Sequence, residues 1–209
     1  MSEQQRVALV TGAAGGIGRE LVLSLLGKWL RVAAVDRTAQ GLAELAQTGQ
    51  ERQHGANLMT IEADLARDES TDEIVAKAHD RFGVIDILVN NAGVGQATIR
   101  IDNRQRPIKF WEVTPELWKL FVAVHNNAPM SLSRAVVHDM MRQKWGRIVN
   151  ITTRPRHNDP RRLTDLVEGG VGGLFGDHGE GPCRDWRHRQ CAGAGRGHQH
   201  RHGAARGRL

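Results

Sequence analysis

The sequence predicts an α/β fold in which a doubly wound parallel sheet carries helices on both of its faces. Three observations predict it. From residue 6 to residue 153, short apolar runs alternate with segments of helical periodicity, as they do in parallel sheets joined by helices. A glycine-rich run, Thr11–Gly18, lies between the first apolar run and the first helical segment. No stretch approaches the roughly 18 consecutive apolar residues that indicate a membrane-spanning helix.

Five apolar runs predict five buried strands, because strands covered on both faces show little polar alternation. These runs are Arg6–Val10, Arg31–Val35, Leu58–Ala63, Ile85–Asn90 and Arg147–Ile151. The helices that connect parallel strands then have to cover the sheet from both sides.

Local signals predict the ends of the first helices. An amphipathic segment, Arg19–Lys28, follows the glycine-rich run. The sequence Ser-Thr-Asp-Glu at 70–73 predicts a capping box at the start of a helix. That helix should end near Phe82, because Gly83 favours the backbone conformation that terminates helices.

A long helix is predicted from Thr114 to Trp145. Threonine is favoured at a helix cap and proline at the first helical position, which here is Pro115. Apolar residues recur at three- and four-residue steps behind this start and predict one buried face. Pro129 should kink the helix, since proline lacks a backbone N–H.

The glycine-rich run predicts a pyrophosphate-binding turn, because it joins a buried strand to a helix. Gly12 would permit the tight turn, Gly16 would let the backbone approach the phosphates, and Gly18 would let the helix pack closely. The unpaired N–H groups at the helix start would add a partial positive charge. An ordinary strand-to-helix turn is the alternative. With this motif the predicted sheet is of the Rossmann type.

Asp36 ends the second predicted strand and predicts the choice of cofactor. A carboxylate there can accept hydrogen bonds from both ribose hydroxyls and would repel a 2′-phosphate, which favours NAD over NADP. Arg37 opposes this preference, because a guanidinium can bind the extra phosphate. A helix N-cap is the alternative role for Asp36.

Four motifs in order resemble those of the short-chain dehydrogenase/reductase family. They are the spacing TGxxxGxG at 11–18, Asp64-Leu65, Asn90–Gly93 and Gly146–Ile151. The resemblance covers residues 6–153 and implies hydride transfer between a nicotinamide and a small-molecule alcohol or carbonyl substrate. It implies that Asp64 and Leu65 flank the adenine. The cofactor-binding residues so predicted are Gly12, Gly16, Ile17, Gly18, Asp36, Arg37, Asp64, Leu65, Asn91, Ala92 and Gly93.

The same resemblance implies a catalytic serine, tyrosine, lysine and asparagine. The serine position falls on Thr153, whose hydroxyl could polarise the substrate oxygen. Alternatively, Thr153 is only a residue at the end of a strand. The asparagine position falls on His125, which could relay a proton or be a helix residue without a catalytic role. Asn127 could replace it if the helix is locally overwound. The tyrosine and lysine positions fall near Leu166 and Gly170. The chain has no tyrosine, and its last lysine lies well before these positions.

Beyond Thr153 the composition changes, which predicts two regions: a dinucleotide-binding domain over 1–153 and a tail over 154–209. The tail contains 11 arginines, no lysine, six acidic residues and 12 of the 24 glycines, without apolar periodicity. It therefore carries most of the net charge of +6. Its histidines and cysteines lack the paired spacing of a zinc site, so no metal is predicted.

An out-of-frame reading of the gene after about Thr153 would explain both the missing catalytic residues and the tail, so the C-terminal part of the fold is expected to be missing or disordered. Read one nucleotide later, the degenerate codons of residues 168–174 permit Lys-Ala-Ala-Leu-Glu-Ala, which resembles the family's helix at the catalytic lysine. Those of residues 190–197 permit Asn-Val-Leu-Val-Pro-Gly-Gly, which resembles its sixth strand. A genuine disordered extension and an RNA-binding arginine–glycine segment are the alternatives.

These observations predict an oxidoreductase whose present chain is inactive. The alternative is a non-catalytic dinucleotide-binding domain with a basic tail that binds nucleic acid or a partner. The N-terminus lacks a signal-peptide pattern, and Cys183 and Cys191 suggest no disulfide framework, so a cytoplasmic protein that does not bind membranes is expected. By resemblance, the intact protein would form a homo-oligomer through the long helix. The basic segment Arg100–Phe110 could line the entrance for an acidic substrate, or be a solvated loop.

Overall fold

The computed structural model describes residues 5–152 and contains the predicted parallel sheet. Its strands lie in the order β3-β2-β1-β4-β5, and every neighbouring pair is parallel. The strands are Val7–Thr11 (β1), Arg31–Asp36 (β2), Leu58–Glu62 (β3), Ile87–Asn90 (β4) and Arg147–Asn150 (β5). Each lies within about two residues of its predicted bounds. The predicted tail 154–209 and Thr153 lie outside the described residues.

Helices cover both faces of this sheet. They are Gly16–Gly27 (α1), Ala39–Glu51 (α2), Ser70–Phe82 (α3), Pro115–Val122 (α4) and Ala128–Arg142 (α5). Short 3₁₀ turns occur at Gly55–Asn57, Gln96–Thr98 and Phe110–Glu112. None of the helices within 5–152 has the length and apolar character needed to cross a bilayer.

Alternation along β1 distributes its side chains between two apolar cores. Leu9 belongs to the core that α3 and α5 cover, together with Leu88 of β4. Val10 belongs to the opposite core, which α1 and α2 cover. Successive side chains of a strand point to opposite faces, so one buried strand supplies both cores. This two-sided burial confirms the doubly wound α/β fold.

The start of α3 differs from the predicted capping box. The helix has the expected bounds, and Gly83 ends it with φ = +81°. However, Ser70 is buried and its hydroxyl donates to the carbonyl oxygen of Asp64 at 2.6 Å. The hydroxyl oxygen accepts no capping hydrogen bond from the helix, and Glu69, the residue before the first turn, is in a helical conformation. The capping-box prediction was wrong because tertiary packing draws Ser70 toward the preceding loop.

The long predicted helix is interrupted before Pro129. Thr114 caps α4 as predicted, accepting a hydrogen bond from the N–H of Leu117 at 3.3 Å. A π-helical turn, Ala123–Asn127, then separates α4 from α5, and the N–H of Ala128 bonds to the carbonyl of the residue five positions back. Pro129 has no N–H to offer the carbonyl four residues before it, so the regular ladder fails there. A π turn is wider than an α-helix, so the local overwinding under which Asn127 could replace His125 does not occur.

Candidate functional site

The carboxyl ends of β1, β2 and β4 meet at one edge of the sheet, and most of the predicted cofactor residues follow them. In parallel sheets this edge is where ligands bind, since the strand order changes direction there. Here β1 pairs with β2 on one side and β4 on the other. The loops after β1 and β4 therefore leave the sheet side by side.

Glycine is required by the backbone at two points of the turn after β1. Gly12 has φ = +66°, and a Cβ there would lie 2.8 Å from the Cα of Ala92. A Cβ at Gly18 would overlap the carbonyl oxygen of Gly12 and lie 2.6 Å from the Nδ2 atom of Asn91. Any larger residue at either position would push apart the loops after β1 and β4.

The start of α1 leaves room for a ligand. Gly16 has φ = +52°, and a Cβ there would meet no atom within 4 Å. The side chain of Ile17 is exposed. The first N–H groups of α1 have no partner inside the helix, so this open face offers hydrogen-bond donors and a partial positive charge. A pyrophosphate fits these features.

Asn91 and Thr11 join the two loops by hydrogen bonds. The side-chain amide of Asn91 donates to the carbonyls of Thr11 and Gly12 at 3.0 and 3.1 Å. In return, the hydroxyl of Thr11 accepts from the N–H groups of Asn91 and Ala92, both at 3.1 Å. Thr11 is buried, so this network lies beneath the cleft. The amide of Asn91 thus holds the turn together.

Asp36 connects the turn to the second strand. One of its carboxylate oxygens accepts from the N–H of Ala14 at 3.0 Å, and the other accepts from the N–H of Thr38 at 3.0 Å. Thr38 is the cap residue of α2, so Asp36 also supports the start of that helix. Each carboxylate oxygen can accept more than one hydrogen bond, so both retain capacity for ribose hydroxyls. The side chain of Arg37 is exposed beside it.

The structure brings seven of the predicted residues around one cavity of about 80 Å³. They are Gly12, Asp36, Arg37, Asp64, Leu65, Ala92 and Gly93. Ligand pockets usually measure about 300–1,000 Å³, so this cavity would hold only one part of a dinucleotide. The predicted residues Gly16, Ile17, Gly18 and Asn91 lie outside its lining, in or beneath the adjoining turn.

Four further lining residues were not predicted. Val35, Ala63 and Val94 each adjoin a predicted residue in the sequence, so extending the motifs by one position would have found them. Val124 adjoins His125, which was predicted as a catalytic and not as a cofactor residue, and the π turn brings it to the cavity from a distant part of the chain.

Asp64 and Leu65 form the far side of the cavity. The carboxylate of Asp64 accepts from the N–H of Ala66 at 2.9 Å, which folds the chain back after β3. The side chain of Leu65 packs against the core covered by α3 and α5. It also borders a second, outer cavity that includes Asn127. Asn127 lines this second cavity and is not among the residues that line the cavity with Gly93 and Val94.

His125 lies in the π turn, against the loop after β4. Its Nε2 atom is 3.0 Å from the nitrogen and 3.1 Å from the carbonyl oxygen of Val94. Its ring stacks on Phe121 with centroids 5.6 Å apart. The predicted catalytic residue Thr153 lies outside the described residues. Among residues 5–152, no three His, Cys, Asp or Glu side chains cluster as metal ligands would.

Comparison with known proteins agrees with this geometry. A family model described as short chain dehydrogenase matches residues 6–157. The chain is 30% identical over 148 residues to a 3-oxoacyl-[acyl-carrier-protein] reductase of Synechocystis sp., covering 71% of this chain and 56% of that protein. It is 33% identical over 171 residues to a 2,3-dihydroxy-2,3-dihydro-p-cumate dehydrogenase of Pseudomonas putida, covering 81% of this chain and 62% of the relative.

A solved structure of a short-chain dehydrogenase has a similar fold. The crystal structure of a short-chain dehydrogenase from Streptomyces avermitilis superposes with a TM-score of 0.66 at 25% identity, covering 83% of this chain and 59% of that chain. The present chain thus spans 56–62% of the length of these three proteins.

Proposed function

This chain belongs to the short-chain dehydrogenase family, and we propose that its cleft binds NAD in an oxidoreductase that interconverts a secondary alcohol and a carbonyl. One observation carries the proposal. Gly12, Asp36 and Gly93, from three separate segments, line a single cavity beside the open start of α1. A bound nicotinamide would supply the hydride acceptor, and the chain's own residues would hold the dinucleotide and orient the substrate.

The preference for NAD rests on Asp36. Its negative charge would repel a 2′-phosphate at this edge of the cavity, whereas its oxygens can accept from ribose hydroxyls. The hydrogen bonds from Ala14 and Thr38 fix the carboxylate in place. The side chain of Arg37 is exposed to solvent, so we propose that it influences the choice of cofactor less than Asp36 does.

Replacing Asp36 by alanine tests this preference. Asp36→Ala should raise the Kd for NAD by about tenfold, the effect of losing charge-assisted hydrogen bonds of about 1.4 kcal/mol, and should lower the Kd for NADP. Titration followed by tryptophan fluorescence or calorimetry measures both constants. Asp80→Ala, which removes an exposed carboxylate on α3, is the matched control and should change neither. Equal affinities of the unaltered chain for both cofactors would assign the choice to Arg37 instead.

For the 209-residue chain itself we propose that alcohol oxidation is absent. Transferring hydride from an alcohol also releases the hydroxyl proton, which needs an acceptor beside the substrate oxygen. A positioned general base contributes about 10²–10⁴-fold to such a reaction. The sequence has no tyrosine and no lysine after Lys144. Thr153 and His125 alone supply a polarising hydroxyl and an imidazole, without the base that the family uses.

The second candidate function, a dinucleotide-binding domain without catalysis, is favoured by that same lack of tyrosine. Measuring NAD binding and NAD reduction on one preparation separates the two. Binding without turnover supports the non-catalytic chain, and restoring the reading frame after Thr153 should then recover turnover. Robust NAD reduction by the unaltered chain would overturn the proposal of inactivity and indicate His125 as the base.

A further inference from the structure

The contact between His125 and Val94 joins two segments that are far apart in the sequence. Val94 directly follows Gly93, and both residues line the cavity. His125 belongs to the π turn and reaches across to the backbone of Val94 with its Nε2 atom. Val124, its neighbour in the turn, lines the same cavity. One side of the cavity is therefore built where the loop after β4 meets the π turn.

Nε2 binds the backbone of Val94 in either protonation state. When Nε2 carries no hydrogen, it accepts from the N–H of Val94 at 3.0 Å. When it carries one, it donates to the carbonyl oxygen of Val94 at 3.1 Å. A single ring nitrogen cannot do both at once, but each state retains one hydrogen bond to the same residue. Nε2 therefore forms a hydrogen bond with the backbone of Val94 in both states.

Packing against neighbouring residues also holds the ring in place. The imidazole lies nearly parallel to the ring of Phe121, at an interplanar angle of 18°. At its edge the ring approaches Gly93, where a Cβ would lie 3.1 Å from the Cε1 atom of the imidazole. Phe121 and Val94 are both nearly buried in the small apolar cluster that this loop shares with α4. The ring therefore fills the space between α4 and the loop.

We propose that His125 is a positioning residue that fixes Gly93 and Val94 at the wall of the cavity, rather than a residue that relays a proton. The hydrogen bond sets the position of the Val94 backbone, and the ring sets how closely Gly93 approaches the turn. The consequence for NAD affinity rests on the proposed function, whereas the effect on the loop does not. The two are therefore measured separately.

Amide hydrogen exchange at Val94, without added nucleotide, tests the contact itself. His125→Phe keeps a planar ring beside Phe121 and Gly93 but has no hydrogen-bonding nitrogen. Exchange of the Val94 amide should become about tenfold faster in this variant. His125→Gln restores a hydrogen-bonding side chain and should bring the rate back toward the original. His138→Phe, an exposed histidine on α5, is the matched control and should leave the rate unchanged. Unchanged rates at Val94 and at the neighbouring amides of Gly93 and Gly95 in His125→Phe would overturn the proposal.

NAD titration of the same variants tests the effect on the cavity. His125→Phe should raise the Kd for NAD by about five- to tenfold while its melting temperature stays close to that of His138→Phe, and His125→Gln should recover most of the affinity. An equal loss in His125→Phe and His125→Gln would overturn the positioning role. If the unaltered chain binds no NAD although Val94 is protected, the proposed function fails and the contact stands. If His125→Phe does not fold, the comparison of His125→Gln with a non-bonding His125→Leu decides the matter by the same two measurements.

Discussion

β1 and β5 are both predicted from the sequence as buried strands, but the structure buries only β1 completely. All five residues of β1 are buried, and the strand lies between β2 and β4. In β5, Arg147 is exposed and the side chain of Val149 is 42% exposed. Within residues 5–152, β5 pairs with β4 alone. An apolar run thus predicts that a segment is a strand, whereas the depth of its burial depends on what packs beside it.

The glycine-rich turn after β1 should give the largest effect. Gly18→Ala places a Cβ on the carbonyl oxygen of Gly12, which is backbone and cannot move aside. We expect a loss of at least about 3 kcal/mol in the free energy of unfolding, the upper end for overpacked sites, together with the loss of NAD binding. Urea denaturation measures the change in the free energy of unfolding.

Gly27→Ala is the control for that substitution. It lies in the same helix, and a Cβ there meets no atom within 4 Å. Alanine should stabilise the helix by about 0.5–1 kcal/mol. Similar losses for both variants would mean that α1 does not pack against the turn as described.

A pair of identical substitutions compares the two strands directly. Val10→Ala in β1 removes two methyl groups from a fully buried site and should cost about 2–3 kcal/mol, the sum of transfer and cavity contributions. Val149→Ala in β5 should cost less than about 1 kcal/mol, because that side chain already contacts solvent. Urea midpoints at constant slope give both values. Equal costs would show that β5 is covered in solution as completely as β1.

Aggregation should depend on β5 more than on β1. Among the described strands β5 pairs on one edge alone, and a strand with an open edge and exposed apolar side chains can template pairing with other chains, which a lysine disfavours. Val149→Lys should therefore lower light scattering on heating several-fold, with little change in the melting temperature. We expect that temperature to lie below about 50 °C for the 209-residue chain, toward the low end of mesophile domains. A cooperative melt well above it would contradict the expected low stability.

The smallest effect is expected at the exposed loop before α4. Glu112 accepts from the N–H of Lys109 at 2.7 Å and pairs with Arg100 at 2.9 Å. The backbone N–H of Lys109 and then the guanidinium of Arg100 lower the pKa of Glu112 below its usual 4.5. Because the pKa is lowered in the folded state, the ionised Glu112 stabilises the folded loop at pH values above its usual pKa. This stabilisation is lost as the pH falls through the lowered pKa.

Exchange of the Lys109 amide should therefore accelerate as the pH falls below about 4.5, beyond the intrinsic dependence of exchange. Glu112→Gln should already exchange faster at pH 6 and lose the additional pH dependence. Because the carboxylate is exposed, global stability should hardly change. A large shift of the urea midpoint in Glu112→Gln would show that this loop supports the core.

Much of the fold could be predicted because its signals are local. The strand bounds followed from apolar runs, and the Thr114 cap followed from one hydroxyl and the proline after it. The capping box at Ser70 failed because that side chain is buried and bonded to the carbonyl of Asp64 in the preceding loop, without accepting a capping hydrogen bond. At the site, glycine spacing identified the turn, but it did not indicate that the amide of Asn91 would face the carbonyls of Thr11 and Gly12.

The sequence by itself determined what the backbone can and cannot do at each point. Gly12 and Gly18 permit a turn that other residues would block, and Pro129 withholds the N–H that a regular helix needs. Only the tertiary structure decided that His125 would bind Val94, since contacts between distant segments depend on how helices pack on the sheet. It also decided that Val149 would remain partly exposed, because burial depends on neighbours that a strand's own residues do not specify.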